Sequence, residues 1–425
     1  MRPEAVAEYH FAFTFLLMLI LLVPLAVVGL ALTNVGLGRS RGASHAMTAS
    51  ICAISVAALV YFAWGFAIQG GNMDPFPGVN GMFGSLGTFF RGANDNLDFL
   101  YLPALFAMFS VGLASLIPLG AASDRWRLSA CCASTFLFAG WIYPLFVNFA
   151  NTGFHVHRAP RLVVGDLFMD AGGSGFINVT GGITALSVAW LLGARQGKYS
   201  SAGIPAAIPA HNGVFVLFGC LLSWLGWLGL NGAGAILHTI LRMQPTHVII
   251  AIINTTLSAC SAALTAAAVT RIRFRKPDAS LIANGWMAGL VASSAGCATL
   301  KPATAVLTGI VAGALVVFSV EFLEFRLKVD DPCGSVSVHA VCGIWGLLAA
   351  GIFSDVSGQF MAQLVGVATL LGFVFPMSYG SNWLLNRFIP YRVSIDGERQ
   401  GLDLHELGAD AYPEFVVHTD EFLQR

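Results

Sequence analysis

Apolar positions in this chain neither alternate at a strand period nor keep to one helix face. They come in unbroken blocks. Eleven stretches contain no Asp, Glu, Lys or Arg: 11–32, 47–68, 99–121, 128–149, 175–192, 214–237, 248–269, 281–299, 303–320, 336–353 and 361–385. Each has 18 to 25 residues, and about 20 helical residues cross the ~30 Å hydrocarbon layer of a bilayer. Barrel strands would be about 9–11 residues long and strictly alternating, so the blocks predict helices. The expected fold is an all-α polytopic membrane protein of eleven transmembrane helices, with the lipid bilayer as its first partner.

Composition narrows the class further. Of 425 residues, 56% are apolar and 10% charged, and mean hydropathy is +0.74. Soluble domains carry about 25% charged residues, so this chain cannot cover a water-facing surface. The same figures exclude disorder, a collagen-like fibre and a small disulfide scaffold. Twenty-two Lys and Arg balance 22 Asp and Glu, which leaves no basic surface for nucleic acid. Seven of the eight cysteines (all but Cys333) lie within the apolar blocks without ligand-like spacing, so they read as small packing residues.

With the N-terminus outside and the blocks alternating, sixteen Lys and Arg fall on the inner side and six outside, as the positive-inside rule requires. The outer six are Arg2, Arg91, Arg158, Arg161, Arg242 and Lys301; Arg425 closes the inner set. The run Arg271-Ile-Arg-Phe-Arg-Lys276 then reads as a topology anchor. The first block exceeds the usual signal-peptide core of about 7–15 residues and is expected to be retained. Residues 1–385 form the membrane domain and 386–425 a cytoplasmic tail, in the cell (inner or plasma) membrane.

Two segments 161 residues apart resemble each other. Asp170-Ala-Gly-Gly-Ser-Gly-Phe-Ile-Asn178-Val-Thr-Gly-Gly182 can be laid on Asp331-Pro-Cys-Gly-Ser-Val-Ser-Val-His339-Ala-Val-Cys-Gly343. Each opens a block, the fifth and the tenth, one entered from outside and the other from inside. That pattern predicts an inverted repeat of five plus five helices, about 11–193 and 211–354, with an extra helix at 361–385. Such folds place their site at the midplane between the halves.

Eight positions separate each Asp from Asn178 or His339, or ~12 Å along a helix, so both side chains are expected near the bilayer centre. Asp170 and Asp331 suit helix caps at the two starts. His339 is the one histidine in the eleven blocks. An ionisable group at that depth is costly and faces a pore or cavity; the plainer reading is an imidazole bonded to a neighbouring carbonyl. For Asn178 the plainer reading is interhelical glue.

These residues carry a family likeness. Val329-Asp-Asp-Pro-Cys-Gly-Ser-Val-Ser-Val-His-Ala-Val-Cys-Gly-Ile-Trp-Gly346 resembles the tenth-helix signature of the ammonium transporter family (Amt/Mep/Rh). Gly226-Trp-Leu-Gly-Leu-Asn231 resembles its sixth-helix motif, and Ser123-Asp-Arg-Trp-Arg127 the end of its third helix. Glu398-Arg-Gln-Gly-Leu-Asp403 with Ala411-Tyr412 resembles its cytoplasmic tail. The resemblance implies a homotrimer with one narrow pore per protomer, in which ammonium meets an outer vestibule, passes stacked phenyl rings and loses its proton. Ammonia then crosses an apolar lumen lined by two facing histidines. A dry lumen cannot solvate potassium, whereas ammonium can leave its charge behind.

The chain departs from that pattern at several places. The second histidine matches His339, but the first falls on Asn178, which takes up no proton and interrupts a two-imidazole relay. The inner member of the phenyl gate falls on Leu230, and its outer partner matches Phe109 with one extra residue before Gly120, or Ser110 without it. The vestibule tryptophan falls on Ala150, with Phe149 one place away, and the vestibule serine on Gly234. Asp170, Trp227 and Asn231 keep the family's residues. Losing Trp and Ser is expected to weaken outer ammonium binding by about 1–3 kcal/mol. In the tail, Leu407-Gly-Ala409 replaces the family's His-Gly-Glu, which bears on docking of a PII-type signal protein.

Three functions stay open at this point: an ammonium/ammonia conductor with an altered pore, a transport-impaired ammonium sensor or regulator, and a channel for another small neutral solute. An enzyme is not expected, since no nucleotide loop, metal spacing or nucleophile triad occurs, and no cofactor or metal is expected either.

Overall fold

The computed structural model describes residues 3–69, 97–151, 168–238 and 245–413, with the side chains of 3–11, 97–100, 151, 238 and 245 outside the description. Arg2, Arg91, Arg158, Arg161, Arg242 and Arg425 of the charge count lie outside these residues. The chain runs through helices α1 (Pro3–Leu37), α2 (Ser40–Ile68), α3 (Leu97–Ala121), α4 (Leu128–Ala150) and α5 (Ser174–Leu192). A second series follows: α6 (Gly213–His238), α7 (Pro245–Phe274), α8 (Ala279–Ser294), α9 (Pro302–Phe325) and α10 (Val336–Ile352). Then come α11 (Gln359–Phe388) and a short tail helix α12 (Ile395–Gln400).

Among the described residues there is no strand, only two isolated bridges, and nine of these helices are long and apolar enough to cross a bilayer. The two remaining apolar stretches coincide with α8, of 16 residues, and the shorter α10. The chain is an all-helical integral membrane protein. Large apolar side chains such as Leu59, Leu264, Ile272 and Phe388 stand exposed on its flanks, where lipid rather than water satisfies them.

The two series pack alike. Helix α3 lies against α2 and α5, and α8 lies against α7 and α10. The halves meet along α1 and α6, which share the most extensive contact in the molecule. Glycine permits that approach: a Cβ on Gly226 would stand 2.0 Å from the backbone nitrogen of Ala26. Membrane helices associate through such small residues because lipid offers no hydrophobic drive to bring them together.

Candidate functional site

Helices α5 and α10 begin in the same way. Each start is preceded by a glycine in the left-handed region, Gly173 at φ 82° and Gly334 at φ 70°, where a side chain would be strained. Three residues before each glycine, an Asp folds back onto the new helix. Asp170 Oδ2 accepts from the backbone N–H of Gly175 (2.9 Å) and Phe176 (2.7 Å). Asp331 accepts from Ser335 (3.0 Å) and Val336 (2.7 Å). Both carboxylates thus satisfy N–H groups that a helix start leaves unbonded.

Both helices then open with a π turn, Ser174–Val179 and Val336–Val341. Its wider ring carries the Asn178 N–H back five residues to the Gly173 carbonyl (3.1 Å). Such bulges redirect side chains and occur frequently at functional sites. Each π turn ends beside the residue of interest, and the two residues meet: His339 Nδ1 lies 2.8 Å from Asn178 Oδ1. His339 is 2% exposed and Asn178 is fully buried.

The amide's other end settles the protons. Asn178 Nδ2 donates to the Gly173 carbonyl at 2.9 Å, so Oδ1 faces the imidazole, and Oδ1 only accepts. His339 therefore carries its proton on Nδ1 and donates it. Its Nε2 keeps a lone pair and has no hydrogen-bond partner among the described residues. Asn178 holds one tautomer of the histidine in place and cannot exchange a proton with it.

The crossing is held by backbone approach. Gly182 and Gly343 are equivalent in the repeat, each four residues after Asn178 or His339. A Cβ on Gly182 would stand 2.4 Å from Ala340 N, and one on Gly343 would stand 2.7 Å from Val179 Cγ2. Each glycine rests on the residue that follows the other helix's polar side chain, a reciprocal pattern matching an approximate two-fold.

The segment after Asp170 gathers another set of expected site residues. Trp227, fully buried, donates from Nε1 to Ser294 Oγ (3.1 Å). Asn231 donates to Thr255 Oγ1 (2.8 Å), and its Oδ1 would lie 1.9 Å from a Cβ on Gly172. Gly234 abuts the Ala171 carbonyl, which would lie 2.0 Å from its Cβ. Position 234 therefore has no room for a serine side chain with this backbone. Leu230 is fully buried; Phe109 is half-buried and packs between the main core and the cluster of Leu16, Leu19 and Ile20. Ser110 Oγ is tied to its own helix at the Phe106 carbonyl (2.8 Å). Phe149 stands edge-on to Phe373 (4.9 Å between centroids), and Ala150 beside it is buried.

Sequence reasoning missed a buried ionic lattice where α5 ends and α10 begins. Arg195 donates to both Asp330 carboxylate oxygens (Nε to Oδ2, 2.9 Å; Nη2 to Oδ1, 3.1 Å) and to Asp124 Oδ2 (2.9 Å). Arg125, fully buried, donates to the carbonyls of Asp330 (2.7 Å), Ala121 (3.0 Å) and Gly193 (2.8 Å). Burial would raise the Asp330 carboxyl, but Arg125 and Arg195 hold it down at about 2. For Arg125, burial dominates and lowers its pKa to about 10. The lattice fixes Asp330 next to Asp331, the cap of the helix that carries His339. Its signal lies in the Asp124-Arg-Trp-Arg127 run, read above as a family likeness, and in Asp330, the neighbour of the expected cap Asp331.

The tail also takes part. Helices α2 and α4 begin without a side-chain cap from their own N-cap residues. Asp403 supplies one, accepting from Ser44 N (3.1 Å) and His45 N (2.6 Å). Glu406 accepts from Leu128 N (2.7 Å) and lies 3.3 Å from His45 Nε2. Arg392 donates to the Leu192 and Ala194 carbonyls (2.8 Å each) and to Glu398 (2.7 Å). No group of three or more His, Cys, Asp or Glu among the described residues is placed to hold a metal.

Comparison with known proteins gives one answer. Residues 14–412 match the model of the Ammonium Transporter Family. Ammonium transporter Amt2 of Archaeoglobus fulgidus is 32% identical over 431 residues, covering 96% of this chain and 90% of that protein. Among solved structures, a Sensor Amt Protein superposes with a TM-score of 0.84 at 26% identity, covering 93% of this chain and 98% of its own. Saccharomyces cerevisiae Mep2 gives 0.75 at 24% identity, over 91% and 89%. With the capped, paired and broken helices described above, the match over nearly the whole length means that this chain belongs to the ammonium transporter family.

Proposed function

We propose that the protein conducts ammonia derived from ammonium through a narrow passage at the α5–α10 crossing, one per protomer of a homotrimer. The passage runs through eleven membrane-spanning helices arranged as two inverted five-helix halves plus α11, in the cell membrane with the N-terminus outside and the tail in the cytoplasm. The observation that carries the reading is the buried contact between His339 Nδ1 and Asn178 Oδ1, 2.8 Å across the two broken helices. Asp170, Trp227 and Asn231 frame the outer approach, with Gly234, Ala150 and Phe149 in place of its usual recruiting groups. Phe109 and Leu230 form an apolar constriction, and Asp331 caps the inner half.

Chemically, His339 offers one fixed acceptor, Nε2, to a passing N–H donor. Ammonia satisfies that lone pair and needs no counter-charge. Ammonium would bring an unpaired charge into a site lined by a neutral amide and a neutral imidazole, a cost of several kcal/mol. Asn178 offers no second titratable nitrogen, so the proton released outside has no relay across the pair. The reading predicts flux with little accompanying current.

A second reading is sensing. The Sensor Amt Protein, similar over 93% of this chain, and the substituted vestibule and histidine pair favour a protein that binds ammonium and reports through its tail. The tail's own carboxylates occupy the ends of α2 and α4, which supports internal docking over a PII-type partner.

Purified protein in liposomes decides between them. Internal alkalinisation on ammonium addition that disappears in His339→Ala supports conduction; alkalinisation unchanged by His339→Ala refutes the passage. Calorimetric ammonium binding without any alkalinisation establishes the sensing reading.

A further inference from the structure

We propose that a cavity beneath Leu402 of the tail is a binding site for one small neutral hydrogen-bond acceptor, water or ammonia, taken up by the indole N–H of Trp126. The cavity lies away from the α5–α10 crossing and has a volume of about 20 Å³, enough for one water-sized guest, which needs about 10–15 Å³. Trp126, His45, Asn34, Ser123 and Asp124 contribute to its wall, and Leu402 adds to it from the tail.

The wall contains an unsolved hydrogen-bonding problem. Trp126 is 4% exposed, and its Nε1 has no partner, one of few such buried atoms among the described residues. Buried donors are nearly always paired, and an orphan marks an unseen guest. The indole donates and cannot accept, so the guest must bring a lone pair. Ammonium has none and is excluded; water has two and ammonia one, with hydrogens left to donate onward.

Acceptors are available for those hydrogens. Asn34 Nδ2 is spent on the Leu116 carbonyl (3.2 Å), which leaves its Oδ1 free to accept. The Asp124 carboxylate, held by Arg195 and by Arg39 N, supplies a further acceptor. Two anchors hold Leu402 in place. Asp403, next to Leu402, caps α2, and Gly401, at φ 102°, lies so close to Arg41 that a Cβ would meet that residue's Cβ at 2.5 Å. The docked tail therefore forms one side of the guest's site.

The test is a density map of the full chain, at a resolution that shows ordered water, in ammonium-free potassium buffer and in alkaline ammonium buffer. A peak within hydrogen-bond distance of Trp126 Nε1 in both maps identifies water; a peak in the ammonium map alone identifies ammonia. Trp126→Phe keeps the ring and removes the donor, so the peak should vanish in that variant. No peak in either map of the unsubstituted protein, or a peak that persists unchanged in Trp126→Phe, overturns the proposal. Neither result touches the conduction reading, which the liposome assay judges separately.

Discussion

Replacing Asn178 with histidine tests whether this one side chain sets the electrical character of the passage. In the native pair, Asn178 Oδ1 accepts from His339 Nδ1–H at 2.8 Å, while Nδ2 is held by the Gly173 carbonyl. An imidazole at 178 can place its Nδ1 near the present Oδ1 and accept the same proton. It forfeits the bond to the Gly173 carbonyl, which keeps two backbone donors, Ile177 N and Asn178 N (3.1 Å each). The structural cost is therefore about 1 kcal/mol, one neutral hydrogen bond. The gain is a second titratable nitrogen pair, so a proton arriving at His339 Nε2 can be handed on through Nδ1. A charge-assisted bond between the rings is stronger than a neutral one by about 1.5 kcal/mol, which at 1.4 kcal/mol per factor of ten amounts to at least a tenfold rise in ammonium-evoked current. Charge movement should be recorded from liposomes holding equal amounts of the two proteins, alongside internal pH. Asn178→His with unaltered assembly and unaltered current would refute the assignment of the relay gap to Asn178.

Two further outcomes follow from the ionic lattice and the docked tail. Asp330→Asn leaves two buried guanidiniums, Arg125 and Arg195, with Asp124 as the one carboxylate of the lattice, and should cost about 3–5 kcal/mol, read as a lower unfolding midpoint in detergent at neutral pH. Because the carboxyl is held down at about 2, its contribution is fully present above its ordinary pKa of 3.8 and is lost as pH falls through about 2. The difference between native and variant proteins should accordingly persist unchanged from pH 7 to 4. Glu406 is also held below its usual value: burial opposes this, but the His45 side chain and the Leu128 N–H outweigh it. Tail docking through Glu406 is thus complete above its ordinary pKa of 4.5 and weakens as pH falls through the lowered one. Glu406→Gln should weaken docking by about 1 kcal/mol and remove that acid response, measured as hydrogen exchange over residues 43–46 and 403–407.

The parts of this molecule that were legible from sequence are those in which chemistry repeats at a fixed offset. Asp170 and Asp331, Gly173 and Gly334, and Gly182 and Gly343 recur 161 residues apart, and each pair performs the same task in three dimensions: cap, left-handed turn, close crossing. The block pattern located the helices because a bilayer tolerates few alternatives. The π turns were invisible, since inserting one residue into a uniformly apolar run changes no periodicity. The restriction at Gly234 was equally hidden, because it comes from the Ala171 carbonyl and not from a side chain. The tail caps join residues 358 positions apart, as with Asp403 and His45, and only the folded chain brings them into reach. Arg125 and Arg195 look like any other inner-side basic residues until burial and pairing distinguish them.

The distance between Asn178 and His339 is imposed by the scaffold before either side chain contributes. Gly182 against Ala340 and Gly343 against Val179 fix how closely the two helices cross, and the capped π turns fix the direction in which residues 178 and 339 point. A bond at that position needs only one donor and one acceptor of similar reach, a requirement that an amide and an imidazole both meet. Position 178 is thus free to change its proton chemistry without changing the crossing, as long as the glycines remain. Substituting Gly182 with valine would act in the opposite sense: its Cβ alone would stand 2.4 Å from Ala340 N, and the side chain would force the helices apart. The His339–Asn178 bond would lengthen although both residues are intact, and flux should fall with them. Flux that survives Gly182→Val in a correctly assembled protein would show that the passage does not depend on this crossing.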